Sequence, residues 1–158
     1  MDRYHWLLLF HVTGAFMVVG GATLAGIFNI AAMRRERPSE IVVLFKLTRI
    51  AVVSIMLGMV VALAFGIWLV ADLDFVKWSN TWVILALILW VLANALGGQG
   101  GRRDKATREL AEQLAAQGDQ PSPELQARLR DPVTVALSWG SGLAVVVILI
   151  LMIWKPGH

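Results

Sequence analysis

The sequence contains no cysteine. This absence excludes disulfide bonds, thiolate metal sites and cysteine nucleophiles, and it gives no indication of the redox compartment. Charged residues are also scarce, at 16% of 158 residues, whereas soluble domains carry about 25%. Together with a hydrophobic fraction of 58%, this deficit indicates a protein whose solvent is lipid.

Several kinds of functional motif are missing as well. The apolar segments contain no Ser/His/Asp set and no pair of carboxylates. The glycine cluster 97–101 lacks the Lys-Ser/Thr of a phosphate-binding loop, and no nucleic-acid-binding fold is indicated, so we expect no nucleic-acid partner. No metal site built from methionines is predicted, because those of the apolar segments form no obvious pair on one helix face: Met17, Met33, Met56, Met59 and Met152.

Four long apolar segments are present, each long enough to cross a bilayer as a helix of about 18 residues or more. They predict a single all-α integral membrane domain over residues 1–158, a bundle of four transmembrane helices. We expect the first segment to be retained as a span, because it is too long for a signal peptide. The predicted spans are about 4–33, 46–71, 78–97 and 132–154.

The connections carry local helix signals. Ser39 is a predicted N-cap of the second helix, and the glycine cluster 97–101 is expected to break the third. Within the connection 98–131, opposite charges four residues apart predict a short surface helix after Arg102, with the pairs Asp104/Arg108, Lys105/Glu109 and Arg108/Glu112. Residues 124–130 can form one or two further turns, and Asp131-Pro132 is typical of an N-cap followed by an N1 proline.

Small residues recur at helical spacing in three of the spans. In transmembrane helices such stripes allow two backbones to approach closely, because lipid supplies no hydrophobic drive between helices. The predicted packing residues are Gly14, Gly21 and Ala25, then Gly58, Ala62 and Gly66, then Ala136, Gly140 and Ala144.

His11 is the one ionisable residue deep inside the first span, since His5 lies near its end at the membrane interface. It lies on the same helical stripe as Gly14, so it is expected to face protein rather than lipid. One interpretation is a haem or metal ligand, with Gly14 leaving room for a flat macrocycle. The other is a neutral imidazole bonded to a backbone carbonyl or to a hydroxyl such as Ser138 or Ser141.

Lysine and arginine predict the orientation. Eleven of the 14 lie in the two connections that follow the first and third spans, and Arg3, Lys77 and Lys155 lie on the other side. The positive-inside rule therefore places both basic connections in the cytoplasm and both termini outside. An aromatic belt is predicted at the outer face, formed by Tyr4, Trp6, Trp78, Trp82 and Trp154.

The stretch 8–12, Leu-Leu-Phe-His-Val, followed by Gly14 and Gly20-Gly21, resembles the first helix of CopD-like four-helix bacterial membrane proteins. That group includes the copper-resistance protein CopD, the HemJ-type protoporphyrinogen oxidase and a family of predicted integral membrane proteins of unknown function. The chain is most similar to the last of these. The motifs that carry this similarity are Gly-Gly-Arg-Arg-Asp at 100–104, Ser-Pro-Glu-Leu at 122–125, Arg-Asp-Pro at 130–132 and Leu-Met-Ile-Trp-Lys-Pro-Gly at 151–157.

The resemblance to the HemJ type implies that His11 ligates haem. The third-helix lysine that those proteins use has no counterpart here, since residues 83–96 contain neither lysine nor histidine. Three functions follow as hypotheses. The first is an accessory, assembly or structural membrane component without catalysis, placed in the inner membrane as a homo-oligomer or in a larger complex. The second is a haem-binding or haem-linked redox protein using His11, and the third is a small-molecule or ion transporter.

Overall fold

The computed structural model describes residues 2–72 and 78–155, and within these ranges the chain is built from five helices. They are α1 (Arg3–Met33), α2 (Pro38–Asp72), α3 (Thr81–Ala116), α4 (Pro123–Leu129) and α5 (Pro132–Trp154). The helices α1, α2 and α3, and the segment Pro123–Trp154 that contains α5, are long and apolar enough to cross a membrane. The predicted all-α protein with four spanning helices is therefore confirmed. Asp74 and Lys77, for which the sequence predicts a short polar turn, and the terminal Pro156-Gly157 lie outside the described residues.

The spanning helices associate as two pairs. The most extensive contact joins α1 to α2, the next joins α3 to α5, and a smaller contact joins α2 to α3. One buried side chain from each spanning helix meets the others at the centre of the bundle, where Val18, Met59, Ala93 and Ala144 form a cluster. The two pairs are thereby united into one bundle.

The connection between α3 and α5 is not a loose loop. Six residues from α1, α2, α3 and α4 form a second apolar cluster below the bundle, in which Ile41, Ala111 and Leu125 are fully buried; the others are Ala32, Phe45 and Leu129. We call this unit the cap: the segment 102–131, which contains the end of α3 and all of α4, and the adjoining ends of α1 and α2. Outside lipid, apolar burial of this kind is the main force that orders a segment.

The sequence correctly predicted α4 and the start of α5. Asp131 accepts a hydrogen bond from the backbone N–H of Thr134 at 3.1 Å and is followed by Pro132 at the first helical position. The Ser122 hydroxyl likewise accepts from the N–H of Leu125 at 3.4 Å and caps α4.

The predicted break at the glycine cluster 97–101 is wrong, because α3 continues through it to Ala116. The expected surface helix is thus an extension of α3. Isolated glycines cost a helix about 1 kcal/mol each, but helical hydrogen bonding is the only way to satisfy the backbone inside lipid. Gly97 and Gly100 also face α5, next to Ser141 and Ser138, so tertiary packing stabilises the helix where propensity would end it.

The predicted N-cap at Ser39 is also wrong. The helix α2 begins at Pro38, and both the N–H and the hydroxyl of Ser39 donate to the carboxylate of Asp119, at 2.7 and 2.6 Å. A carboxylate 80 residues away therefore supplies the acceptor that an N-cap side chain would supply.

Candidate functional site

The site begins at His11, which faces α2 in the half of the bundle that contains the N-terminus of α1. Its Nδ1 lies 2.8 Å from the carbonyl oxygen of Ala62. A methyl group at Gly66 would lie 3.0 Å from Cε1 and Nδ1 of the imidazole, so the missing side chain of Gly66 makes room for the ring. The sequence left a backbone carbonyl open as one partner of His11, and this is the partner observed. Ser141 instead donates to the carbonyl of Ala93 at 3.0 Å.

This hydrogen bond determines which ring nitrogen of His11 is available as a ligand. A carbonyl only accepts, so Nδ1 carries the hydrogen, and in the neutral imidazole Nε2 is then the acceptor. The described residues offer Nε2 no hydrogen-bond donor. Histidines that bind metals commonly have this arrangement, with one ring nitrogen held by a carbonyl and the other available as a ligand.

The small residues of the first pair lie where the backbones of α1 and α2 approach each other most closely. A methyl group at Gly14 would lie 2.6 Å from the backbone nitrogen of Ala62, and one at Gly58 would lie 2.6 Å from the carbonyl oxygen of Gly14. Further along, a methyl group at Gly21 would lie 2.8 Å from the carbonyl oxygen of Ala51. The space beside Gly14 is therefore occupied by the α2 backbone, so a macrocycle would have to approach His11 from another side.

In the second pair, α3 and α5, the atoms next to the glycines belong to side chains. A methyl group at Gly140 would lie 3.3 Å from Cδ1 of Leu96, and Ala144 belongs to the central cluster. The predicted packing residue Ala136 is exposed, because the face of α5 that meets α3 carries Leu137, Gly140 and Ser141 instead. Ala25 of the first pair is half-buried.

Aromatic side chains lie at the end of the bundle that contains the N-terminus of α1 and the C-terminus of α5. Phe10 stacks on Phe65 with ring centroids 4.8 Å apart. Tyr4, Trp6, Trp78 and Trp154 are exposed, with Trp154 at 76%. Trp82 is only 5% exposed and lies beneath the ammonium of Lys155 at 5.8 Å. The expectation that Trp82 belongs to an exposed belt is thus wrong, since it packs between helices.

The cap contains polar contacts that the sequence did not predict. Gln126 donates to the carbonyl of Arg35 at 2.6 Å, and Arg130 donates to the carbonyl of Met33 at 3.3 Å. With the Asp119–Ser39 hydrogen bonds, these contacts tie the connection to the ends of α1 and α2. The only local signal was the Gly118-Asp119 turn, where both residues have positive φ, 118° and 56°.

Three cap carboxylates have shifted pKa values. The hydroxyl and N–H of Ser39, with the nearby Arg37, lower the pKa of Asp119. The Thr134 hydroxyl, with Arg103 nearby, lowers the pKa of Asp131. Burial raises the pKa of Asp104 to about 6.

Asp104 forms no ion pair with a described residue, and its predicted pairing with Arg108 is wrong. Arg108 instead approaches Glu112 at 3.5 Å, while the predicted pair of Lys105 and Glu109 is present at 3.8 Å. Within residues 2–72 and 78–155, no three His, Asp or Glu side chains are grouped as metal ligands would be.

These features define a polytopic α-helical membrane protein with two tightly packed helix pairs and an ordered cap. Residues 5–156 match the family described as predicted integral membrane protein (DUF2269). Because the match covers nearly the whole chain, the protein belongs to that family, whose function is unknown, and the predicted resemblance is confirmed at this level. No curated protein and no solved structure matches the sequence.

Proposed function

We propose that the protein is an accessory or assembly component of the inner membrane, without catalysis of its own, whose cap binds a partner on the cytoplasmic side. The observation that carries this proposal is the ordering of the cap. A connection that served only to join two spans would need no apolar core, yet this one buries Ala111 and Leu125 completely.

The surface of the cap suits a protein partner. The extension of α3 exposes a polar face in which Lys105 pairs with Glu109. Such mixed charge favours specific pairing, because both signs must be matched by the partner. The partner is a protein of a larger membrane complex or a second copy of this chain.

The orientation in this proposal has both termini outside and the cap inside. It is supported by the eleven basic residues in the two connections on the side of the cap. Since the chain has no cysteine, a single introduced cysteine is a unique label. We expect Gln113→Cys to react with a membrane-impermeant maleimide only after permeabilisation and Asp2→Cys to react in intact cells. The reverse pattern would overturn the orientation.

Photo-crosslinking tests the binding of a partner. A photoreactive residue replacing Glu112, which is exposed on the cap, should give one discrete crosslinked product in native membranes. The matched control replaces Phe16, which is 77% exposed within a spanning helix and should give lipid adducts only. Replacing residues 118–130 by a flexible linker of equal length should abolish the Glu112 product. A Glu112 position that yields only lipid adducts or none would reject the proposal.

A second candidate is haem binding through His11. The observation in its favour is the Nδ1 hydrogen bond to Ala62, which leaves Nε2 available as a ligand. When bound, haem would supply redox chemistry, and His11 would hold the iron through Nε2. Protein purified after expression with ample haem should then show a Soret band that shifts on reduction and is absent in His11→Ala. A spectrum without this band would reject the candidate.

Transport is the least supported of the three hypotheses. Transporters commonly have interrupted helices at the substrate site, whereas α1, α2, α3 and α5 are continuous over their full bounds. No observation on the described residues favours transport over the other two functions.

A further inference from the structure

A basic cleft opens between the end of α1 and the start of α4. Its volume is about 400 Å³. Three arginines, Arg34, Arg35 and Arg130, line it together with one carboxylate, Glu36. Apolar and proline side chains, including Met33 and those of two prolines, form other parts of its wall.

The positive charge of this cleft is incompletely neutralised. Arg35 pairs with Glu40 at 3.4 Å, but neither Arg34 nor Arg130 forms an ion pair with a described residue. Arg130 uses one N–H for the carbonyl of Met33, and its remaining donors are available. Two guanidinium groups that share a cleft repel one another, so an anion between them would relieve the repulsion and accept their hydrogen bonds.

The position of the cleft along the axis of the bundle indicates which kind of anion it binds. Arg130 directly precedes Asp131-Pro132, where the apolar helix α5 begins. From Pro132 to Trp154, α5 has 23 residues, which at about 1.5 Å per residue matches the roughly 30 Å of a hydrocarbon core. The cleft therefore lies at the boundary where lipid phosphates are located, and basic pockets at this level bind anionic headgroups.

Two general reasons already account for arginines here. Basic residues favour the C-terminal end of a helix such as α1, and they determine membrane orientation. Neither reason requires that the arginines line a common cleft with an apolar wall. We infer that this cleft binds a phosphate group, and that at this level of the bundle the group belongs to an anionic lipid headgroup. The inference does not depend on the cap having a protein partner.

The test uses the full chain purified in detergent. Phosphatidylglycerol and phosphatidylcholine are titrated separately, and the bound lipid is counted by native mass spectrometry. We expect the wild-type protein to prefer phosphatidylglycerol. Each basic residue near an anionic surface contributes roughly fivefold in affinity, so Arg34→Gln with Arg130→Gln should weaken phosphatidylglycerol binding by about thirtyfold.

A matched control removes the same charge elsewhere. Arg102 and Arg128 are exposed and outside the cleft, and Arg128 pairs only with Glu124, at 3.0 Å. Arg102→Gln with Arg128→Gln should change the affinity less than threefold, because neither residue lines the cleft and the field of an exposed charge outside it is screened by solvent. Arg34→Gln alone keeps the Arg130–Met33 hydrogen bond and should still lose about fivefold, which separates lost binding from lost folding.

Inorganic phosphate distinguishes the two sources of the group. If phosphate does not displace phosphatidylglycerol, the cleft recognises the headgroup as part of a lipid. If phosphate alone binds the wild type and not the cleft variant, the cleft is a site for free phosphate. Two results would overturn the inference. The first is an equal loss of phosphatidylglycerol affinity in both double variants. The second is a wild-type protein that shows no preference for phosphatidylglycerol and does not bind phosphate.

Discussion

The two helix pairs are held together by different kinds of contact. Between α1 and α2, the atoms nearest to Gly14 and Gly58 are backbone atoms, at 2.6 Å from a methyl group placed on either glycine. Between α3 and α5, the nearest atoms to Gly97 and Gly140 are side-chain atoms, at 3.2 and 3.3 Å. In the first pair one backbone rests on the other, whereas in the second pair side chains occupy the gap. Both arrangements contain small residues at four-residue spacing, such as Gly58, Ala62 and Gly66 in the first pair and Ala136, Gly140 and Ala144 in the second, so spacing alone does not distinguish them.

The distinction has a physical consequence. Side-chain atoms can rotate away from an added methyl group, but a helical backbone cannot move without shifting the whole helix. The first pair should therefore tolerate no increase in volume, and the second should adapt.

The largest effect is expected for Gly58→Ala. Its methyl group would meet the carbonyl oxygen of Gly14 at 2.6 Å and the backbone nitrogen of Val18 at 2.9 Å, so α1 and α2 must separate. We expect a loss of about 3 kcal/mol or more in the free energy of unfolding in detergent, at the upper end for overpacked cores.

The matched variant in the second pair is Gly100→Ala. Its methyl group would lie 3.6 Å from the Ser138 hydroxyl, an ordinary contact, and the gain in helix propensity should leave stability unchanged or raised by up to about 1 kcal/mol. Equal losses for Gly58→Ala and Gly100→Ala would show that the two pairs do not differ.

An intermediate effect is expected for Asp104→Asn. Asp104 lies one turn beyond Gly100 on the same face of α3, and burial raises its pKa from 3.8 to about 6. The unfolded chain releases this proton at a lower pH than the folded protein does. The free energy of unfolding therefore falls as the pH rises from about 4 to about 6.

In unfolding experiments across this pH range, Asp104→Asn should become more stable than the wild type, by up to about 3 kcal/mol above pH 6, and it should show no advantage below pH 4. Asp2→Asn is the control, because Asp2 is exposed. An advantage that did not vary with pH would contradict burial of the carboxyl group.

The smallest effects are expected for single side chains that form a hydrogen bond across a helix pair. His11 bonds to the Ala62 carbonyl at 2.8 Å, and Ser141 donates to the Ala93 carbonyl at 3.0 Å. Hydrogen bonds between transmembrane helices contribute about 0.6 kcal/mol on average, and Ser141→Ala should lose about that much.

His11→Ala should lose more, about 1 to 2 kcal/mol, because it also empties the space against Gly66. Thermal unfolding of both variants in the same detergent measures the difference. A smaller loss for His11→Ala than for Ser141→Ala would show that the imidazole contributes little to the first pair.

The fold was largely predictable because the spanning segments are surrounded by lipid. Hydropathy alone identified four spans, because inside a bilayer only a helix satisfies its own backbone. The His11 stripe was correctly expected to face protein. The glycine cluster 97–101 was misread for the same underlying reason, since rules for glycine come from helices in water and α3 continues through the cluster against α5. The Asp119–Ser39 hydrogen bonds join residues 80 positions apart, and local capping rules cannot predict such a partner.

By itself, the sequence determined that the protein is helical, spans a membrane four times and concentrates its basic residues beside two connections. These properties follow from composition and period, which act residue by residue. Only the tertiary structure decided which small residues meet a backbone and which meet a side chain, that His11 bonds to Ala62, and that arginines from two distant segments share one cleft. Those outcomes depend on the rotation of each helix about its axis and on how the chain folds back, because both are determined by packing among all the helices at once.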